Sequence, residues 1–280
     1  MDVLQWRRYR FVFNLNDGDV FQAKSMDLSN LETDQDTIAS FFEEMSGGLT
    51  PISLNIPEME GTREFAHEDR EFRIRLANTE ERRESANILI NKMYSWRGYD
   101  NAGASGSTPN RITLIASGAS GEAIGTISIG MDSPAGLFAD EMYHEELEAL
   151  RNQGRKVCEF NKLAIDTTIK SKRILSSLLH VAYLYPYGLF GYTDGVLEVN
   201  PRHVKFYERM MGFTQIGPER ICPRVHAPGV LLRTNFAYVN EQVEEYGGLM
   251  DKADGVKSLY PYFFNKTDEA GILGRLRTMA

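Results

Sequence analysis

Residues 200–213 read NPRHVKFYERMMGF, and this stretch decides the fold. It follows the run VLEV at 196–199, which predicts a strand. His203 to Met211 predicts a short helix. Gly212 ends that helix, because glycine readily takes the left-handed conformation that closes a helix C-terminus. A strand, an asparagine, a helix with a central tyrosine and a Gly-Phe ending therefore form one continuous unit.

Strands and helices alternate on the N-terminal side of this unit. The FRIRL run at 72–76 alternates like a strand, and Asn78 or Thr79 can cap the helix that follows it. Further strands are predicted at 111–116, 123–130, 157–165, 196–199 and 230–236, and further helices at 137–153, 172–185 and 203–211. The order predicts an α/β (α+β) protein in which helices flank a central mixed sheet.

The unit at 200–213 and the order of elements resemble the GNAT acyl-CoA N-acyltransferase fold. A longer set of strings is similar to the long-chain N-acyl amino acid synthases, which are related to the acyl-homoserine-lactone autoinducer synthases. In order they are GTIS at 125–128, DSP at 132–134, DEMYHEE at 140–146, LR at 150–151, GR at 154–155, EFNKLAID at 159–166, EVNPRH at 198–203 and CPRVHAP at 222–228. The resemblance covers about residues 72–240.

The resemblance implies transfer of a long-chain fatty acyl group from a thioester to the α-amine of an amino acid. A base must remove a proton from the ammonium, and Glu159 is the candidate because its strand lies beside the thioester in this fold. The alternative is a structural glutamate paired with Lys162 or Arg155. Tyr207 could protonate the departing thiolate, although a tyrosine in a capped helix can also be a core residue. A backbone N–H between Asn161 and Leu163 could stabilise the oxyanion.

Four further residues are candidates for binding the acceptor. Arg202 or Arg224 could hold its carboxylate bidentately, and the sequence does not choose between them. Asn200 and His203 are predicted to lie in the same pocket, although His203 could simply begin its helix. The acyl chain needs an apolar channel, with candidates among Met93, Trp96, Leu137, Phe138, Met142 and Leu147.

The acyl donor is expected to be acyl carrier protein, bound through its acyl-phosphopantetheine thioester, with no tightly bound cofactor. GNAT enzymes that use coenzyme A place a glycine-rich loop where this chain reads DTTIKSKR at 166–173. Two segments, 155–173 and 202–224, carry net charges of +4 and +3. The expected contacts to the phosphopantetheine or to the acidic carrier are Lys162, Lys170, Lys172 and Arg173. The alternative is scattered, solvated charge.

The net charge of −8 lies entirely in residues 1–70, which hold 14 acidic and six basic residues. This total argues against a nucleic-acid or anionic-membrane binder. Predicted domains are an acidic N-terminal extension over 1–70, a GNAT-like domain over 71–245 and a C-terminal tail over 246–280. The extension is expected to hold a β-hairpin at 8–24 and an acidic helix at 31–45.

A covalent cysteine mechanism and a metal site are both disfavoured by the sequence. Cys158 neighbours Glu159 in a strand, so the two side chains should point to opposite faces. Cys222 and His226 lie in a proline-rich loop and make a poor catalytic pair. No metal site is expected, since His144 lacks a second histidine four residues away. Two cysteines and no signal-peptide or membrane-spanning pattern favour a cytoplasmic location.

Two other functions remain open at this stage. An acyl-homoserine-lactone synthase would use S-adenosylmethionine and release a lactone. A non-catalytic sensor would bind the acyl carrier without cleaving its thioester. The product formed from a long-chain acyl carrier and amino acids separates these alternatives.

Overall fold

The computed structural model describes residues 36–42, 71–95, 110–118, 120–169 and 171–279. Its strands are β1 (Thr37–Phe42), β2 (Glu71–Leu76), β3 (Arg111–Ser117), β4 (Ala123–Met131), β5 (Val157–Ile165), β6 (Asp194–Val199), β7 (Thr214–Gln215), β8 (Arg220–Cys222) and β9 (Ala227–Asn235). Its α-helices are α1 (Glu80–Ser95), α2 (Asp140–Asn152), α3 (Lys172–Leu184), α4 (Val204–Met211), α5 (Phe236–Tyr246) and α6 (Lys266–Met279). The predicted strands and helices after residue 71 are therefore confirmed.

One mixed sheet organises the chain, in the order β1-β2-β3-β4-β5-β6-β9-β7, with β8 paired to β9. Only β5 and β6 run parallel among these pairs. Helices cover both faces. On one face, α3, α5 and α6 pack on the main core. On the other, α1 and α2 form two smaller apolar clusters. The predicted central mixed sheet with flanking helices is confirmed.

The packing reaches beyond residues 71–245. The compact unit begins at Thr37, and Ile272 and Leu276 of α6 are buried in the main core. Arg275 Nε donates to the carbonyl of Ile38 at 2.6 Å, which ties α6 to β1. Both segments bury apolar side chains on the sheet, so the helix and turns after residue 246 are part of the core rather than a free tail.

The predicted acidic helix over 31–45 is wrong in the part that the structure describes. Thr37–Phe42 is a strand that pairs antiparallel with β2. Ile38 and Phe41 enter the main core, and β-branched and aromatic residues favour such a half-buried pleated surface. The predicted hairpin at 8–24 lies outside the described residues. Within the described ranges, no helix is both long and apolar enough to cross a membrane.

Local signals explain how the elements near the site begin and end. Thr79 Oγ1 accepts a hydrogen bond from the N–H of Arg82, so Thr79 rather than Asn78 caps α1. Gly212 ends α4 with a φ of 69°. Ser171 caps α3 by accepting from the N–H of Ile174.

Candidate active site

Glu159 lies on β5, on the sheet face that carries α1 and α2. Its side chain points the same way as Val157, which packs with α2, whereas Cys158 and Phe160 enter the opposite core. Only 2% of Glu159 is exposed. The prediction that Cys158 and Glu159 point to opposite faces is confirmed.

Two groups hold the Glu159 carboxylate. Its Oε2 accepts a hydrogen bond from the N–H of Phe138 at 2.9 Å and lies 3.6 Å from Nη2 of Arg111 on β3. The ion-pair partner is therefore Arg111, whereas Arg155 pairs with Asp194. Burial raises the pKa of Glu159, although Arg111 and the Phe138 N–H oppose that rise. A carboxylate with a raised pKa is a stronger base and suits proton abstraction near neutral pH.

Arg111 reaches Glu159 by crossing β4 at a glycine. The register places Arg111 opposite Gly130 and Gly130 opposite Glu159. A Cβ on Gly130 would lie 3.1 Å from Nη2 of Arg111, so glycine leaves the guanidinium its path. The ring of Phe138 covers the guanidinium, with Cζ 3.5 Å from the ring centroid. Sequence reasoning missed Arg111, because only the strand order brings it to Glu159.

The loop that carries Phe138 is fixed by one arginine on α2. Arg151 donates two hydrogen bonds to Asp132 and two to Asp140, at 2.7 to 2.9 Å. Asp140 Oδ2 also accepts from the N–H of Leu137 at 2.7 Å. This clamp, from Asp132 just after β4 to Asp140 at the start of α2, sets where the Phe138 N–H meets Glu159.

Replacing Arg151 with alanine should lower kcat by about tenfold to a hundredfold, because small misplacements of catalytic groups are costly. Loss of the Phe138 N–H would also raise the pKa of Glu159 further, so the acid limb of the pH–rate profile should move to higher pH. Steady-state kinetics across pH measure both effects. Arg83→Ala, which removes an exposed ion pair with Glu80, is the control. A lower unfolding midpoint with unchanged kcat and profile would leave the clamp a stability element alone.

β5 and β6 part next to Glu159. Their parallel register runs from Val157–Asp194 to Phe160–Leu197, while β5 continues to Ile165. β5 bulges at Lys162, where its register with β4 shifts. Lys162 has a φ of 51°, and its carbonyl accepts a hydrogen bond from Thr126 Oγ1. Both amide atoms of the Asn161 side chain are buried and have no hydrogen-bond partner among the described residues. The predicted oxyanion region at 161–163 therefore falls where the strands separate.

Arg224 joins the Glu159 neighbourhood, from the loop between β8 and β9. Its Nη1 donates to the Phe138 carbonyl at 3.0 Å and contacts Glu141, and its Nη2 donates to Glu198 at 2.8 Å. The other three predicted acceptor residues lie at the start of α4. There Asn200 accepts from the N–H of Arg202, and Arg202 Nε donates to Nε2 of His203 at 3.2 Å. Their substrate roles stay predictions.

Tyr207 lies on α4 and is partly buried against the main core. Its ring meets those of Phe206 and Phe213 edge-on, with centroids 5.3 and 5.7 Å away. This packing fixes the ring and leaves its proposed role as a proton donor a prediction.

The four residues expected to meet the carrier are not all together. Burial and the nearby positive charge of Arg111 lower the pKa of Lys162. Arg173 Nη1 lies 3.0 Å from Sδ of Met250, and Lys172 Nζ lies over the Tyr262 ring. Arg173 and Lys172 therefore both lie close to residues of the C-terminal segment. Lys170 lies outside the described residues.

Cys222 is buried beside the cluster rather than poised as a nucleophile. Burial raises the pKa of its thiol, and the nearby Glu198 carboxylate raises it further. A thiol with a raised pKa is poorly reactive. His226 is exposed on the same loop, with a φ of 48°.

The candidate apolar channel residues fall into separate clusters. Leu147 and the partly buried Met142 lie on α2 and share one apolar cluster with Leu137, while Met93 on α1 belongs to another. The hydroxyls of Thr113 and Ser128, 2.7 Å apart, join β3 to β4. Trp96 lies outside the described residues.

Comparison with known proteins gives two informative matches. A family model described as N-acyl amino acid synthase FeeM matches residues 85–235. The solved structure of FeeM, an N-acyl amino acid synthase from uncultured soil microbes, has 28% sequence identity and a TM-score of 0.54. That match covers 59% of this chain and 90% of the other. None of the curated proteins compared is significantly similar to the chain.

Two more distant structures also match. An acyl-CoA N-acyltransferase from Pseudomonas aeruginosa has 12% identity and a TM-score of 0.42, covering 58% of this chain and 97% of its own. The AHL synthase LasI has 12% identity and a TM-score of 0.41, covering 59% and 90%. Together with the strand order described above, the FeeM match confirms the predicted GNAT-like fold.

Proposed function

Because the chain belongs to the FeeM family of N-acyl amino acid synthases and is an acyltransferase, we propose that it acylates the α-amine of an amino acid with a long-chain fatty acyl group from acyl-acyl carrier protein. The observation that carries the proposal is the buried Glu159 carboxylate, beside the point where β5 and β6 separate. A base in this position suits the deprotonation that an amine acceptor requires.

The reaction follows from these groups. Glu159 takes one proton from the acceptor ammonium, and the freed amine forms a C–N bond to the thioester carbonyl carbon. The oxygen of the tetrahedral intermediate carries the negative charge. When the C–S bond breaks, Tyr207 supplies a proton to the departing thiolate, and the second proton of the nitrogen passes to the resulting tyrosinate, directly or through water. The proton held by Glu159 then leaves to solvent, which restores both groups. The products are an amide and the free phosphopantetheine thiol.

Asn161 is the proposed support for the oxyanion. Its side-chain Nδ2 is a buried donor with no partner among the described residues, and its backbone lies at the strand separation. Preorganised donors stabilise developing charge without reorganisation at the moment of reaction. The sequence indicated the backbone of this region and missed the side chain.

The turn before α3 favours a carrier protein over coenzyme A. Asp166 Oδ1 accepts from both the N–H and the hydroxyl of Thr168, and Ser171 already accepts from the N–H of Ile174. A pyrophosphate nest needs such N–H groups unoccupied. Lys162, Lys170, Lys172 and Arg173 are the proposed contacts for a single phosphate or an acidic carrier surface.

Matched donors test this choice. The chain is incubated with a pool of amino acids and with one long-chain acyl group, attached either to acyl carrier protein or to coenzyme A, and acylated products are identified by mass spectrometry. We expect N-acyl amino acids from the carrier, with kcat/KM at least about tenfold lower for coenzyme A, the equivalent of about 1.4 kcal/mol. Equal use of both donors would contradict the carrier assignment.

Charge reversal locates the docking surface. Lys172→Glu should raise KM for the acyl carrier donor and leave KM for a short acyl-pantetheine thioester unchanged, because only the carrier presents an acidic surface. Lys257→Glu, at an exposed site in a different segment, is the control. Adding S-adenosylmethionine and finding a lactone would instead identify an autoinducer synthase. Tight carrier binding without loss of thioester would identify a sensor.

A cytoplasmic location is part of the same proposal. Cys158 and Cys222 are both free thiols in the structure, as expected for a protein kept in a reducing compartment.

A further inference from the structure

We propose that Arg111 binds the carboxylate of the acceptor amino acid, beside the Glu159 that takes the proton from its ammonium. The inference rests on the proposed function and deepens it by naming the residue that selects α-amino acids over simple amines. Two hydrogen-bonding groups of Arg111, Nε and Nη1, remain unused among the described residues.

Arg111 has donors without partners at a buried position. Its side chain is 11% exposed, and Nε and Nη1 have no hydrogen-bond partner in the part of the chain that the structure describes. Leaving a buried donor unsatisfied is energetically costly, so a partner is expected when the site is in use. Each edge of the guanidinium pairs Nη2 with one of these unused nitrogens, which is the fork that a carboxylate binds bidentately.

The plane of this fork is fixed before any ligand arrives. The Phe138 ring stacks on the guanidinium at 3.5 Å, and Gly130 lies so close that a Cβ there would be 3.1 Å from Nη2. The face under Phe138 is occupied, so a carboxylate would bind at the edges with their N–H groups. A preorganised arginine loses little side-chain entropy when it binds a carboxylate.

The two arginines that the sequence offered for this role have other partners. Arg224 is engaged by Glu141, Glu198 and the Phe138 carbonyl. Arg202 is exposed at the start of α4 and bonds His203. Arg111 alone among these three combines burial, a fixed plane and unused donors.

The distance between Arg111 and Glu159 fits the chemistry of an α-amino acid. Nη2 of Arg111 lies 3.6 Å from Oε2 of Glu159. An α-amino acid carries its ammonium and carboxylate on one carbon, so one molecule can place the ammonium at Glu159 and the carboxylate on the adjacent fork.

The test compares acceptors that differ only in the carboxylate. The acceptor is the amino acid that gives the most product in the screen described above, and the comparison is its carboxamide. In the wild type, kcat/KM should be higher for the acid. Arg111→Lys keeps the charge but loses the fork, and should reduce the acid-to-amide ratio by about tenfold or more. Arg277→Lys, an exposed position on α6, is the control and should keep the ratio.

The outcomes are distinct. A folded wild type that yields no N-acyl amino acid from any pairing overturns the proposed function, and the role of Arg111 with it. A wild type that forms product, with the same acid-to-amide ratio in Arg111→Lys, overturns the role of Arg111 alone. So does a loss of the ratio in Arg202→Lys or Arg224→Lys while Arg111→Lys keeps it.

A second variant tests the proposal if Arg111→Lys does not fold. Gly130→Ala introduces a methyl group 3.1 Å from Nη2 and 3.2 Å from Cζ of Arg111, so the guanidinium must shift by a few tenths of an ångström. The acid-to-amide ratio should fall severalfold, because the displaced fork no longer meets the carboxylate. An unchanged ratio in this variant overturns the proposal.

Discussion

Glu159→Gln should lower kcat by about a hundredfold or more, the range measured when a general base is removed. Glutamine is nearly isosteric, and its carbonyl oxygen can still accept the hydrogen bond from the Phe138 N–H that Glu159 accepts at 2.9 Å. The loss would therefore report proton acceptance rather than a displaced loop. Steady-state kinetics with the acyl carrier donor measure it, with thermal unfolding to show that the variant folds.

The pH dependence of the wild type gives the same prediction a second measurement. Burial raises the pKa of Glu159, and a base works only while deprotonated, so kcat/KM should fall as the pH drops through that raised pKa. The acid limb should lie above the ordinary glutamate value of about 4.3. It should be missing from the residual activity of Glu159→Gln.

Glu241→Gln on α5 is the control, since Glu241 is exposed and carries no role in the site. Near-normal turnover in Glu159→Gln would remove the catalytic role and leave the buried pair with Arg111 as a structural feature. A rate loss with an unchanged acid limb would point to a different titrating group.

Periodicity was sufficient to predict the sheet and most of its helices. Alternation in FRIRL at 72–76 and the apolar spacing from Ala86 to Tyr94 are local signals, and local signals survive in the fold. β1, α5 and α6 were not identified as strand and helices. α6 contains Gly271 and Gly274, which weaken a helix signal, and its stability comes from burying Ile272 and Leu276.

Prediction of the site residues from the sequence is limited in the same way, to residues whose signal is local. Glu159 could be identified from its own strand, because the EFNKLAID string holds the residue and its context together. Arg111 sits 48 residues earlier, at the start of a strand that follows a polar loop, and nothing near it in sequence indicates a partner. The antiparallel order β3-β4-β5 and a glycine on the middle strand create the contact.

Net charge along the sequence also overstates how many arginines are available to a partner. The segments 155–173 and 202–224 are basic in sequence, but Arg155, Arg220 and Arg224 are each paired with a carboxylate from another element. These pairs become visible only in three dimensions. The basic surface available to a carrier protein is therefore smaller than the sequence totals indicate.

Asp194→Ala should lower the free energy of unfolding by about 3 kcal/mol, the low end for breaking a buried charge pair. Asp194 is fully buried at the start of β6, where it receives hydrogen bonds from Arg155, Arg233 and Thr193. The two arginines are 28% and 27% exposed, so water can solvate them once the carboxylate is gone. Urea denaturation at neutral pH measures the loss.

The contribution of Asp194 should also depend on pH. Burial alone would raise its pKa, but the hydrogen bonds from Arg155, Thr193 and Arg233 outweigh burial and lower it. The unfolded state therefore binds a proton before the folded state does. The stabilisation is complete above the unfolded pKa of about 3.9 and is lost as the pH falls through the lower folded pKa. The stability difference between wild type and Asp194→Ala should thus shrink in strong acid.

Asp251→Ala removes an exposed carboxylate and is the control for charge alone. Equal stability of the two variants at neutral pH would show that the Asp194 cluster contributes little. The expected loss also bears on function, because Asp194 joins the residues just before β5, the start of β6 and the end of β9. These contacts anchor the end of the parallel ladder opposite the separation at Asn161. A variant that folds should therefore have lower kcat as well as lower stability, since the separation depends on where that ladder is held.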